Sequence, residues 1–271
     1  MSLILKTIIL GIVQGLTEFL PISSTGHLII LEEYLPLPTE EFRKAFLVFV
    51  QLGSILAVLA YFRNKLFPSS AFKDKASFKP IFLLWCKVII GVLPVLLLGY
   101  LFGKCIQENL YGVWTVAVSL FIGGLVLLFI EGKNLPSHYD SVSTLPYSKA
   151  LGIGIFQCIA MIPGVSRSAS TIIGGRILGT SRPLAVEYSF LLSIPTMFAA
   201  SAYSLLKNGM HLTGAEWIAT AVGFLTSFIV SWVVIAFLLS YIRKKDFRIF
   251  GWYRIALAIV LIAWKLWIAQ N

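Results

Sequence analysis

The chain has 271 residues, of which 58% are hydrophobic and only 13% charged, with a mean hydropathy of +0.88. A soluble domain carries about a quarter of its residues as charges, so an ordinary soluble fold is excluded, as are disordered, collagen-like and coiled-coil architectures. The formal charge of +10, from 22 Lys and Arg against 12 Asp and Glu, belongs to membrane-flanking loops rather than to a nucleic-acid surface, because the cations crowd into the stretches 63–79 and 243–254.

The first element, residues 3–35, opens with LILKTIILGIVQGLTEFLPISS. One basic residue before an apolar run resembles a signal peptide, but polar residues interrupt the run before any small-residue cleavage site, so the segment is expected to remain in the mature chain. It breaks at FLPISSTGH and resumes as LIILEEYL, too short to cross a bilayer. Three stretches approaching the required length of about 20 residues follow, at 45–62, 82–103 and 112–131. A second broken segment, 149–178, is interrupted at MIPGVSRSAS and resumes as TIIGGRIL. Three further crossings come at 185–206, 215–241 and 252–269. Non-helical backbone is tolerated at membrane depth only where protein or a cavity surrounds it, so each broken segment is predicted to be a re-entrant hairpin of two half-helices.

The broken segments resemble each other. GIVQGLTEFLPISS (11–24) and GIFQCIAMIPGVSRS (154–168) share GxxQ, an apolar stretch, then Pro before a Ser cluster. Each is followed by three crossings, an odd number, so the second half enters from the opposite side as in inverted-topology repeats. The predicted fold is an all-α polytopic membrane protein with six transmembrane helices plus two re-entrant hairpins. It forms one membrane domain over 1–271, with halves of about 1–140 and 141–271. On this topology 14 of the 22 Lys and Arg, Arg254 among them, fall in the loops 63–79, 131–149, 176–184 and 242–254. Six fall on the other side, and Lys87 and Arg167 lie inside apolar segments. The side with 14 is expected to be cytoplasmic, with both termini outside. An eight-crossing arrangement, with the broken segments spanning, is the alternative.

Ionisable groups at membrane depth mark function by default. Glu18 lies in the first broken segment and Arg167 in the second, whereas Lys87 is placed to snorkel to the interface. Gln14 and Glu18 are four residues apart and share a helix face. Beyond Pro21 come Ser23, Ser24, Thr25, Gly26 and His27, at a half-helix start whose free amides favour an anion. Beyond Pro163 come Gly164, Ser166, Arg167, Ser168, Ser170 and Thr171, an Arg fork among hydroxyls that suits a phosphate. Helix capping is the structural alternative for the Ser and Thr residues. His27 is a candidate acid, base or nucleophile, while His138 and His211 fall in loops. Cys86, Cys105 and Cys158 lack CxxC spacing and read as packing residues.

QGLTE with PISSTGH, followed by PGVSRSAST, resembles the undecaprenyl-diphosphate phosphatase family associated with bacitracin resistance. Gln14 and Glu18 match its (E/Q)xxxE pattern, and Pro163 to Thr171 match PGxSRSxxT. FVQLGSILAV and EYSFLLSIPTM extend the resemblance over nearly the whole chain. It implies an integral membrane hydrolase of the bacterial cytoplasmic membrane that converts undecaprenyl diphosphate to undecaprenyl phosphate and inorganic phosphate, recycling the lipid carrier for cell-wall synthesis. It also implies a divalent metal, Mg²⁺ or Ca²⁺, a site open to the outer side, and a homodimer as one available assembly. Many members have Glu where this chain has Gln14, which weakens the case for Gln14 as a charged ligand.

The expected site joins Glu18, Ser24, His27 and Arg167 as catalytic residues. Ser23, Thr25, Gly26, Gly164, Ser166, Ser168 and Thr171 would bind substrate, and Glu18 with Gln14 would hold the metal. Three nucleophiles stay open: Ser24 activated by His27 or Glu18, His27 itself, or a metal-bound water. A lipid transporter or flippase is the rival from another class, since broken helices in inverted repeats are also a transporter signature. Phosphatidic-acid-type phosphatases are disfavoured because no His and Asp follow SRSAS at the spacing they need.

Overall fold

The computed structural model describes residues 1–271 except 69–74, 111, 134, 209–211 and 271. His211 and part of the basic stretch 63–79 lie outside the described residues. Apart from one bridge between Tyr139 and Thr180, every regular element among them is helical. In chain order these are α1 (Leu3–Thr17), α2 (Ser24–Tyr34), α3 (Glu40–Tyr61), α4 (Arg63–Leu66), α5 (Lys75–Leu110), α6 (Val113–Gly132), α7 (Tyr147–Cys158), α8 (Arg167–Ile177), α9 (Arg182–Asn208), α10 (Gly214–Ile242) and α11 (Arg248–Gln270). A single 3-10 turn, Ile159–Met161, extends α7. Among the described residues six helices, α3, α5, α6, α9, α10 and α11, are long and apolar enough to cross a membrane, so the chain is a multi-pass membrane protein.

Several crossings begin earlier than hydropathy predicts. α3 starts at Glu40 rather than residue 45, and α11 at Arg248 rather than 252. At α11 the Arg248 amide donates to Asp246 Oδ1 at 3.1 Å just before the helix; at α3, Thr39 caps the helix by accepting a hydrogen bond from the Phe42 amide, and Glu40 and Glu41 follow it. Acidic side chains stabilise a helix N-terminus, so the helix extends past its apolar window. Both breaks fall where Pro and the Ser clusters place them. Among the described residues, Ser23 (φ 71°) and Ser166 (φ 77°) are the non-glycine residues in the left-handed region. Each caps the helix behind it, Ser23 Oγ accepting from the Gly26 amide and Ser166 Oγ from the Ala169 amide.

The repeated GxxQ glycines have a packing reason. α1 lies on α10, and a Cβ on Gly11 would come within 2.6 Å of the Gly223 carbonyl. In the second half α7 lies on α5, and a Cβ on Gly154 would collide with the Gly91 carbonyl. Gly154→Ala is therefore expected to destabilise the protein by about 1–3 kcal/mol through overpacking. Thermal unfolding in detergent checks this, with Gly99→Ala as the comparison, since nothing lies within 4 Å of a Cβ there.

The loops assigned to the basic side gather on one face. Arg182 pairs with Glu131 at 2.6 Å, Lys65 pairs with Glu187, and Arg248 Nη2 donates to the Glu131 carbonyl at 3.4 Å. Arg176 donates to the carbonyls of Leu135 and Thr180. Lys87 is buried and donates to the Val142 and Ser143 carbonyls at 2.7 and 2.8 Å, so it reaches the loop 133–146 rather than open headgroups. At the other face Lys6 Nζ donates to the Pro36 carbonyl at 2.6 Å, and Lys265 lies 3.6 Å from Glu33.

Candidate active site

The two breaks meet. Glu18 follows the last turn of α1, its carboxylate 8% exposed, and Arg167 is the first residue of α8. Arg167 Nη2 donates to Glu18 Oε1 at 3.0 Å, joining residues 149 positions apart. Glu18 Oε2 accepts from Gln14 Nε2 at 3.0 Å and from Ser24 Oγ at 2.7 Å. One carboxylate thus holds a guanidinium, an amide and a hydroxyl. Such a charge is stable at depth only when paired and hydrogen-bonded.

Arg167 is aimed from behind. Its Nη1 donates to the Ser189 carbonyl at 3.0 Å, and Thr171 Oγ1 donates to Ser189 Oγ at 2.7 Å. A cavity of about 150 Å³ opens in front, lined among others by Glu18, Ser23, Ser24, Thr25, Gly164, Ser166 and Arg167. Gln51 of α3 and Met197 of α9 complete two of its walls. The caps on α2 and α8 use the third amide of each helix and leave the first two outside the cap; amides so placed at a helix N-terminus favour an anion.

The remaining predicted residues support the cavity without lining it. Ser168 Oγ donates to the Leu20 carbonyl at 2.9 Å and so ties the second break to the first. Gly26 is buried, and a Cβ there would stand 3.1 Å from Val116 of α6. Thr171 secures Ser189. His27 faces away from Glu18: Nδ1 donates to the Ser23 carbonyl at 2.7 Å, Nε2 lies 2.7 Å from the Tyr253 hydroxyl, and the two rings stack. Ser24 is bonded to Glu18 rather than to His27.

Among the described residues no three His, Cys, Asp or Glu converge as a metal cluster. The oxygen donors suited to Mg²⁺ or Ca²⁺ are Glu18 and Gln14. Gln14 Oε1 is buried without a hydrogen-bond partner, an orphaned acceptor beside the carboxylate. These residues fit a cation that takes most of its ligands from phosphate oxygens.

A further sequence expectation is corrected. Arg254, counted with the basic loop 243–254, lies within α11 and is fully buried. Arg254 falls where the predicted loop 242–254 and crossing 252–269 overlap, and the run of cations from Arg243 assigned it to the loop. Gln51, Ser189 and Met197 lie in the segments FVQLGSILAV and EYSFLLSIPTM that extend the resemblance, but neither these residues nor Tyr253 were assigned to the site, because they come from crossings whose facing side only packing decides.

The family model described as bacitracin resistance protein BacA matches residues 7–260. The protein named undecaprenyl-diphosphatase 1 of Clostridioides difficile (strain 630) is 48% identical over 262 residues, covering 96% of each chain. Undecaprenyl-diphosphatases of Limosilactobacillus fermentum and Fusobacterium nucleatum are 45% and 46% identical, over 96% and 94% of this chain and 97% and 98% of their own. A Glu–Arg–Ser cluster around the buried Glu18 carboxylate at the junction of two Pro-broken segments, together with full-length similarity at this level, places the chain in the BacA family of bacitracin resistance proteins.

Proposed function

We propose that the protein hydrolyses undecaprenyl diphosphate to undecaprenyl phosphate and inorganic phosphate, recycling the lipid carrier for cell-wall synthesis and conferring bacitracin resistance. The contact of Glu18 with both Arg167 and Ser24 carries this reading. It brings a phosphate-binding cation, a base and a hydroxyl to one cavity between apolar helices that suit an isoprenoid tail.

In this mechanism Arg167 and the first amides of α2 and α8 hold the terminal phosphate. Ser24 Oγ attacks its phosphorus while Glu18 Oε2, at 2.7 Å, takes the hydroxyl proton. The bond to the bridging oxygen breaks, the proton held by Glu18 passes to that oxygen, and undecaprenyl phosphate leaves. Water then attacks the phosphoserine with the regenerated Glu18 carboxylate accepting its proton; the Ser24 Oγ–phosphorus bond breaks, Glu18 returns the proton to Ser24 Oγ, and inorganic phosphate is released. A divalent metal at Glu18 and Gln14 Oε1 would supply charge neutralisation for the phosphate oxygens.

The same proposal includes two re-entrant hairpins in an inverted repeat. The matched Ser23 and Ser166 caps and the matched Gly11–Gly223 and Gly154–Gly91 contacts support it. So does the Lys6 bond to the Pro36 carbonyl, which brings the two ends of the first hairpin to one side. In the cytoplasmic membrane, with the basic face inside, the first hairpin enters from the outer side, and the site opens there.

Phosphate release from undecaprenyl diphosphate by the purified protein in detergent is the test, run with and without chelator. Release that stops with chelator and returns with Mg²⁺ or Ca²⁺ is expected. No release under any of these conditions would favour the transporter reading, since transport needs no bond cleavage.

A further inference from the structure

Arg254 is an arginine with no exposed surface inside a membrane-crossing helix, a costly placement that needs a compensating role. Among the described residues no carboxylate pairs with it. Its partners are four main-chain carbonyls. Nη1 donates to Pro21 at 3.1 Å, Nη2 to Gly164 at 3.3 Å and Ser119 at 3.1 Å, and Nε to Leu120 at 3.4 Å. Pro21 and Gly164 belong to the two breaks, outside the helical ladders, and Ser119 and Leu120 belong to α6. One rigid fork therefore spans both breaks and the helix they rest on.

The surroundings are shaped for it. A Cβ on Gly123 of α6 would collide with the Arg254 guanidinium, so the glycine opens the passage through which the side chain reaches the breaks. Gly164, at φ +90°, brings the second break within contact of Val116, where a Cβ would come to 2.7 Å. Lysine has no planar fork and cannot serve both breaks and α6 together.

We infer that Arg254 is a positioning residue that holds the two breaks in register, so that Ser24 and Glu18 of one meet Arg167 of the other at the phosphate. This rests on the proposed phosphatase reading. It makes Arg254 responsible for alignment rather than for binding the lipid. Misplacement of reacting groups by 1 Å costs about 10²-fold in rate.

The experiment compares wild type with Arg254→Met, Arg254→Lys and Gly123→Ala, each purified in detergent and shown to be folded by thermal unfolding. Phosphate-release kinetics and amide hydrogen exchange over 19–27 and 162–169 are measured on each. In Arg254→Met, kcat is expected to fall by about 10²-fold while KM stays within about threefold, and exchange is expected to rise in both breaks together. Arg254→Lys should recover part of kcat. Gly123→Ala, which keeps the charge but displaces it, should lose about tenfold, and it carries the test if Arg254→Met does not fold. A folded Arg254→Met with near-normal kcat, or a loss of kcat with exchange in the breaks unchanged, would overturn the assignment. Wild-type protein that releases no phosphate defeats the phosphatase reading instead, and the exchange data then still decide whether Arg254 joins the breaks.

Discussion

Arg167→Ala is expected to lower turnover by on the order of 10³-fold, the scale of removing a preorganised cationic or hydrogen-bonding group from a transition state that develops charge. The same change leaves Glu18 without its partner at 3.0 Å. A buried carboxylate stripped of its cation costs about 3–5 kcal/mol, so the variant should also unfold more easily. The two effects can be separated. Glu18→Gln combined with Arg167→Met removes both charges, and stability should recover much of the loss because no charge is left uncompensated. Activity should not recover. If the double variant regained turnover along with stability, Arg167 would be a structural ion-pair partner and the phosphate site would lie elsewhere. Measuring melting in detergent beside phosphate release distinguishes these outcomes.

Ser24→Ala is expected to cost about 10²–10⁴-fold in kcat, with little change in stability. Its hydroxyl gives one bond to Glu18 at 2.7 Å, and Glu18 keeps Gln14 and Arg167 when that bond is lost. Trapping identifies the nucleophile more directly than rate does. Acid quenching during turnover of substrate labelled in the terminal phosphate should leave acid-stable label on Ser24. Acid-labile label on His27 would transfer the role to the imidazole, whose Nε2 would then have to leave the Tyr253 hydroxyl. Turnover without any trapped label would assign the attack to water. Of the three routes open from sequence, the geometry favours Ser24 with Glu18, because His27 is committed to the Ser23 carbonyl and to Tyr253.

The hydroxyl clusters divide between two tasks that local sequence does not separate. Ser23 and Ser166 cap their helices and also line the cavity, so capping is compatible with the proposed binding role. Ser168 and Thr171 turn away and work through other groups, one on the Leu20 carbonyl and one on Ser189. Which way a side chain near a helix start points depends on helical phase and on what packs against it.

Composition and hydropathy by themselves determined that this is a multi-pass helical protein with six long apolar helices, because hydrocarbon demands long apolar helices that satisfy their own backbone. Local sequence also determined where the two interrupted segments break, since Pro and a Ser cap act within a few residues. The pairing of Glu18 with Arg167 was legible only as two charges at depth; their meeting depends on how the halves pack. Arg254 shows the limit most clearly. By sequence it belongs to a run of loop cations, and only the passage opened by Gly123 and the convergence of two distant carbonyls turn it inward. Tertiary structure decided its place because a guanidinium is stable in that interior only where carbonyls from three separate segments are brought to it.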